Sequence, residues 1–313
     1  MTAELATARR ALLAADWIVP HTDADGLASG AALLRVRRHG VAEVVLLDRG
    51  QTPFGDDPPL PMGSAAVLDW GVRPLARPGV VVDHHALEAE PRADQVVVSG
   101  YAEEPAVSTA VLVRRLVPET PAWLAAIGAF ADLGDAAFAL PECSPAPRTA
   151  IRTLVPLVNA ARRAPAGPVA DALALLVEHD EPGSALRDPR IAVLARVRAA
   201  AQAAFRAAVR TAPVVGADAA LIRFASAYQV HPLVATAWSR RLAPRVVVAA
   251  NDGYLPGRVN FAVRGGHGDL RGLLRGALPE ARGEFAHGHD RATGGSLAPA
   301  EFDELVRGLG IAA

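Results

Sequence analysis

Lysine is missing altogether: all 32 basic residues of this 313-residue chain are arginine. The simplest cause is the base composition of a GC-rich genome. Its side effect is that every fixed cation carries the planar fork that suits phosphate. Cysteine is nearly missing. The single Cys143 excludes an internal disulfide framework and any zinc site built from cysteines, and points to a reducing, cytoplasmic setting. Net charge is missing as well, because 33 acidic residues balance the 32 basic ones to leave −1. A protein that tracks long nucleic acid by electrostatics alone carries a basic excess, so that class is disfavoured. Long apolar runs are the last absence. Residues 1–10 include Glu4 and lack the apolar core of a signal peptide. The runs at 41–47 and 80–82 fall far short of the roughly 20 residues of a membrane helix. No membrane partner is expected.

What is present describes a globular chain: 51% of residues are hydrophobic against 21% charged. The length suits two domains. In the first part, helical composition at 3–15 and 27–38, the latter stopped by Gly40, alternates with apolar strands at 17–19, 41–47, 65–68 and 80–82. Mostly apolar strands with helices between some of them predict a mainly parallel sheet buried on both faces. Residues 51–64 are rich in Pro, Gly and Asp and read as loop. From 121 to 210 the pattern is almost all helix, at 121–131, 147–163, 169–178 and 187–210. Strands then return at 219–224, 245–249 and 258–263, with helices at 232–241, 270–278 and 299–308. Glycines cluster at 265–268 and 288–295. The arginine pairs Arg162-Arg163 and Arg240-Arg241 read as solvated helix surface. The expected fold class is α/β with two domains, an N-terminal parallel sheet flanked by helices and a smaller C-terminal α/β domain. We place the first at 1–180, a helical connector at 181–211 and the second at 212–313.

The chemistry gathers at strand ends. His21, Thr22, Asp23, Ala24, Asp25 and Gly26 follow the first strand and precede a helix, the position where open α/β sheets place their sites. Asp23 and Asp25 are alternate residues whose carboxylates can hold two hard cations side by side. The competing reading is a local turn with Asp25 capping the next helix. Asp69 ends the run 65–68, and Asp83-His84-His85 ends the run 80–82. Three consecutive ionisable residues do not extend a buried strand without a reason, since unpaired buried charge is costly. Imidazoles mixed with carboxylates suit Mn²⁺ or a similar first-row ion. Asp132 follows the helical run 123–131. Ser29 and Ser108 read as helix-start hydroxyls, and Asp48 and Asp135 as surface acids.

Taken in order, these residues resemble the motifs of the DHH phosphoesterase superfamily, whose name-giving triplet stands here as Asp83-His84-His85. The segment from His21 to Gly26 matches the first motif, Asp69 with Gly71 the second, and 128–132 the fourth. Near the other end, residues 288–295 resemble the glycine-rich GHxxAxG signature of the associated substrate-binding (DHHA1) domain. Val230-His231-Pro232 and the 258–264 strand sit where that domain has its own pattern. Residues 158–163 are similar to an Asn-Ala-Ala-Gly-Arg segment of the RecJ branch. Two residues depart from that branch: Arg162 stands at the glycine, and His21 where many RecJ proteins have aspartate. No oligonucleotide-binding domain follows the glycine-rich motif here, which turns the expectation away from long single strands.

The resemblance implies a hydrolase with two cations about 3.5–4 Å apart that activate water and clamp phosphoryl oxygens. It implies Mn²⁺, with Mg²⁺ or Co²⁺ as alternatives. Asp23 is assigned to one ion and Asp25 to the other, with Asp69 bridging, His84 and Asp132 completing the second and His21 the first. His85 is cast as a phosphate contact or proton donor. Asp83 is the remaining catalytic candidate, and orienting a histidine or capping the turn is preferred to direct ligation. In the second domain Gly288, Gly294 and Gly295 would bring backbone amides to phosphate, with His289, Arg264 and Arg291 as substrate contacts; Arg258 and, from the first domain, Asn159 are further candidates. The expected function is a metal-dependent phosphodiesterase or exonuclease acting on short oligonucleotides or single-stranded DNA ends. The alternatives are a small-molecule phosphatase or diesterase, acting on 3′-phosphoadenosine 5′-phosphate or cyclic dinucleotides, and a catalytically inactive nucleic-acid-binding protein. Substrate polarity and oligomeric state, a homodimer included, stay open.

Overall fold

Asp23 accepts a hydrogen bond from the Gly26 N–H at 3.1 Å and so starts a helix directly after a four-residue strand. That strand-to-helix step is the unit from which the first half of the chain is built. The computed structural model describes residues 3–37, 43–266, 268–281 and 285–311. The chain divides into two units, Met1–Arg162 with Gly167–Arg198 and Arg163–Ala166 with Ala199–Ala313.

The first unit runs α1 (Ala3–Ala14), β1 (Trp17–Pro20), α2 (Ala24–Val36), β2 (Glu43–Val44), β3 (Ala65–Leu68), β4 (Gly79–Asp83), β5 (Val96–Ser99), α3 (Thr109–Leu116) and α4 (Ala122–Leu133). Two short 3₁₀ turns, α5 (Arg148–Ala161), α6 (Val169–Glu178), α7 (Pro182–Ala185) and α8 (Arg190–Ala208) follow; the division between the units falls inside α8. Among the described residues five strands form one parallel sheet in the order β2-β1-β3-β4-β5.

Strand alternation sends Ile18, Ala66, Leu68, Val80 and Val82 to one face, where α1, α2, α3 and α4 pack on them. It sends Val19, Val67 and Val81 to the other, where Phe54, Val72 and Leu75 from connecting segments close the core. Burial of both faces explains why these strands read as continuous apolar runs. The second face is covered by irregular chain, including Phe54 and Leu60 of the 51–64 loop.

Several expectations need correction. Among the described residues of the strand expected at 41–47, Glu43–Val44 is strand; it lies at the sheet edge, and the Val45 N–H extends it, to Ile18 O at 2.9 Å. Gly40 and Val41 lie outside the described residues. β5 was not anticipated, although it is a run of three valines. Asp132 lies in the last turn of α4 rather than after it. The segment Ala122–Ala139 is long and apolar enough to cross a membrane by composition, which the reading of short runs overlooked. Its apolar side chains Leu124 and Ile127 are fully buried in the core of this unit.

The second unit contains β6 (Val214–Val215), β7 (Ala219–Phe224), α9 (His231–Arg241), β8 (Val246–Asn251), β9 (Val259–Gly265), α10 (Leu270–Ala277), β10 (Phe285–His289), β11 (Ala292–Leu297) and α11 (Pro299–Gly308). Its described strands form a mixed sheet in the order β10-β11-β9-β8-β7-β6, with β7 and β8 parallel and the other pairs antiparallel. Leu274 of α10 and Phe302 and Leu305 of α11 cover one face, and Val234 and Ala235 of α9 the other. The glycine cluster at 288–295, expected as a glycine-rich nest of backbone amides, lies on a β-hairpin. His267, in the other glycine cluster, lies outside the described residues.

Candidate metal centre

The carboxyl ends of β1, β3 and β4 converge, as parallel pairing dictates. The chain leaves β1 with the His21 N–H bonded to Leu68 O at 2.9 Å, and Asp23 then caps α2. A β-carbon at Gly26 would stand 2.3 Å from His21 O, so this turn requires glycine. Asp25 follows in the first turn of α2, almost wholly buried, and does not cap that helix. Its carboxylate accepts instead from Thr109 N at 2.7 Å and Ala110 N at 2.9 Å, at the start of α3. Helix N-termini favour negative charge.

Asp69 ends β3 with φ 68, a left-handed conformation that only a few non-glycine residues adopt. Its carboxylate faces His84 Nε2 at 3.3 Å, His21 Nδ1 at 3.7 Å and His85 Nδ1 at 3.9 Å, and accepts from Thr109 Oγ1 at 3.0 Å. His84 Nε2 also lies 3.4 Å from Asp132 Oδ2 and 3.8 Å from Asp25 Oδ2. Asp23 Oδ2 lies 2.9 Å from His21 Nδ1.

Asp83 is fully buried. One oxygen accepts from Gly71 N at 2.6 Å; the other accepts from His85 N at 2.5 Å and lies 3.1 Å from His85 Nδ1. It ties two loops together and orients an imidazole, the preferred of its two readings.

The electrostatics are those of an acidic nest. Burial and the Asp69 charge push the Asp25 carboxyl up to about 7, and burial with Asp25 and Asp69 raises Asp132 well above the usual range. Burial opposes charge on the imidazoles, yet the Asp69 carboxylate raises His84 to about 11. Asp23 raises His21 to about 9 against both burial and the Arg162 charge. Despite burial, hydrogen bonds from His21 and His84 hold Asp69 well below the carboxylate range.

This donor set fits divalent cations. Ligand atoms of Asp25, Asp69 and His84 lie within 4.8 Å of one another, as do those of His21, Asp23 and Asp69, and of Asp69, Asp83 and His85. Asp69 belongs to all three groups, the position expected of a bridging ligand. Mixed imidazole and carboxylate donors suit Mn²⁺, Fe²⁺, Co²⁺ or Zn²⁺ better than Ca²⁺.

Other anticipated residues sit elsewhere or do other work. Asn159 Oδ1 accepts from the Ala24 N–H at 2.9 Å, pinning the start of α2. Ser29 lies inside α2 and donates to Asp25 O at 2.8 Å; Ser108 precedes α3 but its hydroxyl makes no capping bond. In the second unit Gly288, with φ 100, and His289 belong to β10. Gly294 and Gly295 lie on β11, which is paired on both sides. A β-carbon at Gly294 would stand 2.3 Å from Phe261 O, so this glycine serves strand packing rather than an open phosphate nest. Arg264 Nη1 donates to Val263 O at 2.9 Å and Thr293 O at 3.2 Å, Arg258 Nε to Ser296 Oγ at 3.2 Å, and Arg291 is exposed at the hairpin tip.

Two participants escaped the sequence reading. Thr109 touches both Asp25 and Asp69; its only signal was the Ser-Thr pair at a helix start. Arg162, read as solvated surface, reaches Asp23 Oδ2 at 2.8 Å and His21 Nε2 at 3.2 Å.

No family model matches the chain, and no curated protein does. Solved structures do. A manganese-bound exonuclease RecJ aligns with TM-score 0.66 at 19% identity, over 98% of this chain and 93% of that one. RecJ from Thermus thermophilus, in complex with Mn²⁺, aligns with TM-score 0.69 at 21% identity, again over 98% of this chain but 54% of that one. The pGpG-specific phosphodiesterase PggH from Vibrio cholerae aligns with TM-score 0.50 at 13% identity, over 94% and 97% of the two chains. These alignments show the fold: the chain has the two-domain α/β architecture of the DHH/DHHA1 fold.

Proposed function

We propose that this protein is a metal-dependent phosphodiesterase that hydrolyses short oligonucleotides or single-stranded DNA ends, with Mn²⁺ as its metal. The observation that carries this reading is the convergence of Asp25, Asp69, His84 and Asp132, within 3.3–3.8 Å of the His84 Nε2 atom, at the carboxyl edge of a parallel sheet. A divalent cation bound there supplies Lewis-acid charge and lowers the pKa of water. Asp25, Asp69, His84 and Asp132 would hold it, and Asp23, paired with His21 at 2.9 Å, lies beside them.

His85 serves as the proton donor. Burial opposes its charge, but the hydrogen bond and charge of Asp83 raise its pKa above the ordinary imidazole value, which favours the protonated form. Asp83 holds Nδ1, which assigns the transferable proton to Nε2. In-line attack of water on phosphorus forms one P–O bond and breaks the bond to the leaving oxygen. The leaving oxygen takes a proton from His85, and the proton lost by the attacking water passes to solvent, from which His85 is reprotonated. The second unit supplies the substrate grip, through His289 and the exposed Arg291. A net charge of −1 suits local capture of a short phosphodiester better than tracking of a long strand.

A second reading keeps this chemistry and shrinks the substrate to 3′-phosphoadenosine 5′-phosphate, a cyclic dinucleotide or its linear product. The fold likeness to a pGpG-specific phosphodiesterase supports it. One substrate panel with Mn²⁺ separates the readings: dinucleotides, short DNA and RNA oligonucleotides, long single strands, phosphoadenosine phosphate and cyclic dinucleotides. Release of mononucleotides from short oligomers is expected. No hydrolysis of any member would overturn the proposal, and turnover of the small nucleotides alone would establish the second reading.

A further inference from the structure

We infer that Arg162 stands in for one cation of the acidic cluster, so that the chain holds a single divalent ion, on the Asp25–Asp69–His84 side. The inference rests on the metal-dependent reading above and narrows it. Of the three donor groups that share Asp69, the one with Asp83 and His85 has both Asp83 oxygens already accepting backbone N–H bonds, from Gly71 and His85. Each of the other two could in principle take an ion. They differ in what already faces them. In the His21–Asp23–Asp69 group, Arg162 Nη1 lies 2.8 Å from Asp23 Oδ2 and 3.4 and 3.2 Å from the two ring nitrogens of His21. A small divalent cation sits about 2.0–2.2 Å from its oxygen and nitrogen ligands. An ion touching Asp23 Oδ2 and His21 would therefore press against a guanidinium, which carries a permanent positive charge.

The guanidinium is placed there by the fold. Arg162 is the residue that ends α5, and three residues earlier Asn159 bonds the Ala24 N–H at 2.9 Å, fixing that helix end to the turn that carries Asp23. The other group is different. The charged partners of Asp25, Asp69 and Asp132 among the described residues are imidazoles, and no arginine pairs with any of the three. Imidazole can lose its proton and become a ligand; guanidinium cannot. One group is thus open to a metal, and the other already has its cation.

The test is metal stoichiometry, read without activity. Metal-stripped wild type, Arg162→Ala and Arg162→Gln are titrated with Mn²⁺ by calorimetry, and bound metal is counted after gel filtration. Electron paramagnetic resonance reports whether bound ions are isolated or coupled. The expected result is one isolated ion per wild-type chain and a coupled pair in both variants. Two ions per wild-type chain would overturn the inference, even if a variant failed to fold, and so would a single ion in a folded Arg162→Gln. One ion with no hydrolysis across the substrate panel would overturn the proposed function and leave this inference standing. Two ions with hydrolysis would do the reverse.

Discussion

Gly128 stands directly behind the carboxylate of Asp25: a β-carbon there would lie 2.0 Å from Asp25 Oδ1 and 2.6 Å from the Ala110 side chain. The middle of α4 thus presses its backbone against a buried acid of α2, and α3 closes the other side through two N–H bonds. Asp25 has no room to turn, which fixes the direction of its remaining lone pairs.

Gly128→Ala should therefore cost stability and metal together. Overpacking a dense core costs about 1–3 kcal/mol, and a displaced Asp25 should weaken Mn²⁺ binding about tenfold or more. Urea unfolding and metal titration check this. Wild-type behaviour in both would show that α4 moves aside freely.

Asp69→Ala and Asp69→Gly should both abolish turnover, since each donor group in this unit loses its common member. Their stabilities should differ. At φ 68 a β-carbon costs about 1–2 kcal/mol that glycine does not incur, so the glycine variant should unfold later by about 1 kcal/mol. Equal midpoints would mean that the backbone relaxes out of the left-handed region once the carboxylate is gone.

Metal binding should release protons and strengthen as pH rises. His84 in the metal-free protein is raised from 6.5 to about 11 by its carboxylate neighbours, against burial, so it is cationic at neutral pH and must become neutral to ligate. Asp25, pushed up to about 7, adds a second proton below that pH. The apparent affinity should rise by up to about tenfold per pH unit for each proton released. Calorimetry in buffers of different ionisation enthalpy counts those protons, and His84→Gln should release about one fewer. A pH-independent affinity between 6 and 9 would contradict the assignment.

His289→Ala should raise KM by about tenfold or more, the usual worth of a hydrogen bond to a charged group, and leave the Mn²⁺ count unchanged. Loss of metal from this variant would contradict the division of roles between the two units.

Strong local signals made part of this protein legible in its sequence. The strands at 65–68 and 219–224 and the helices at 169–178 and 299–308 match their sequence limits, because apolar pattern and breakers coincide there. β5 was hidden although it is a three-valine run like that at 80–82, since its flanks carry no chemistry that marks a strand end, and the β10–β11 hairpin was hidden because glycines are poor strand formers. At the site, acids at strand ends announced themselves, since a charge there needs a partner. Thr109 and Arg162 did not. Their partners Asp69 and Asp23 lie 40 and 139 residues away, and only tertiary packing brings them together.

The buried Asp83 carboxylate joins the backbone beyond β3, at Gly71, to the backbone beyond β4, at His85. Asp69 lies two residues before the first anchor, and His84 directly before the second. A single buried carboxylate thus ties the segment after Asp69 to the segment that carries His84 and His85, so a shift of either loop must break or carry along that tie. For the proposed hydrolysis, the groups assigned to water activation and to protonation of the leaving oxygen would then share one buried anchor, Asp83.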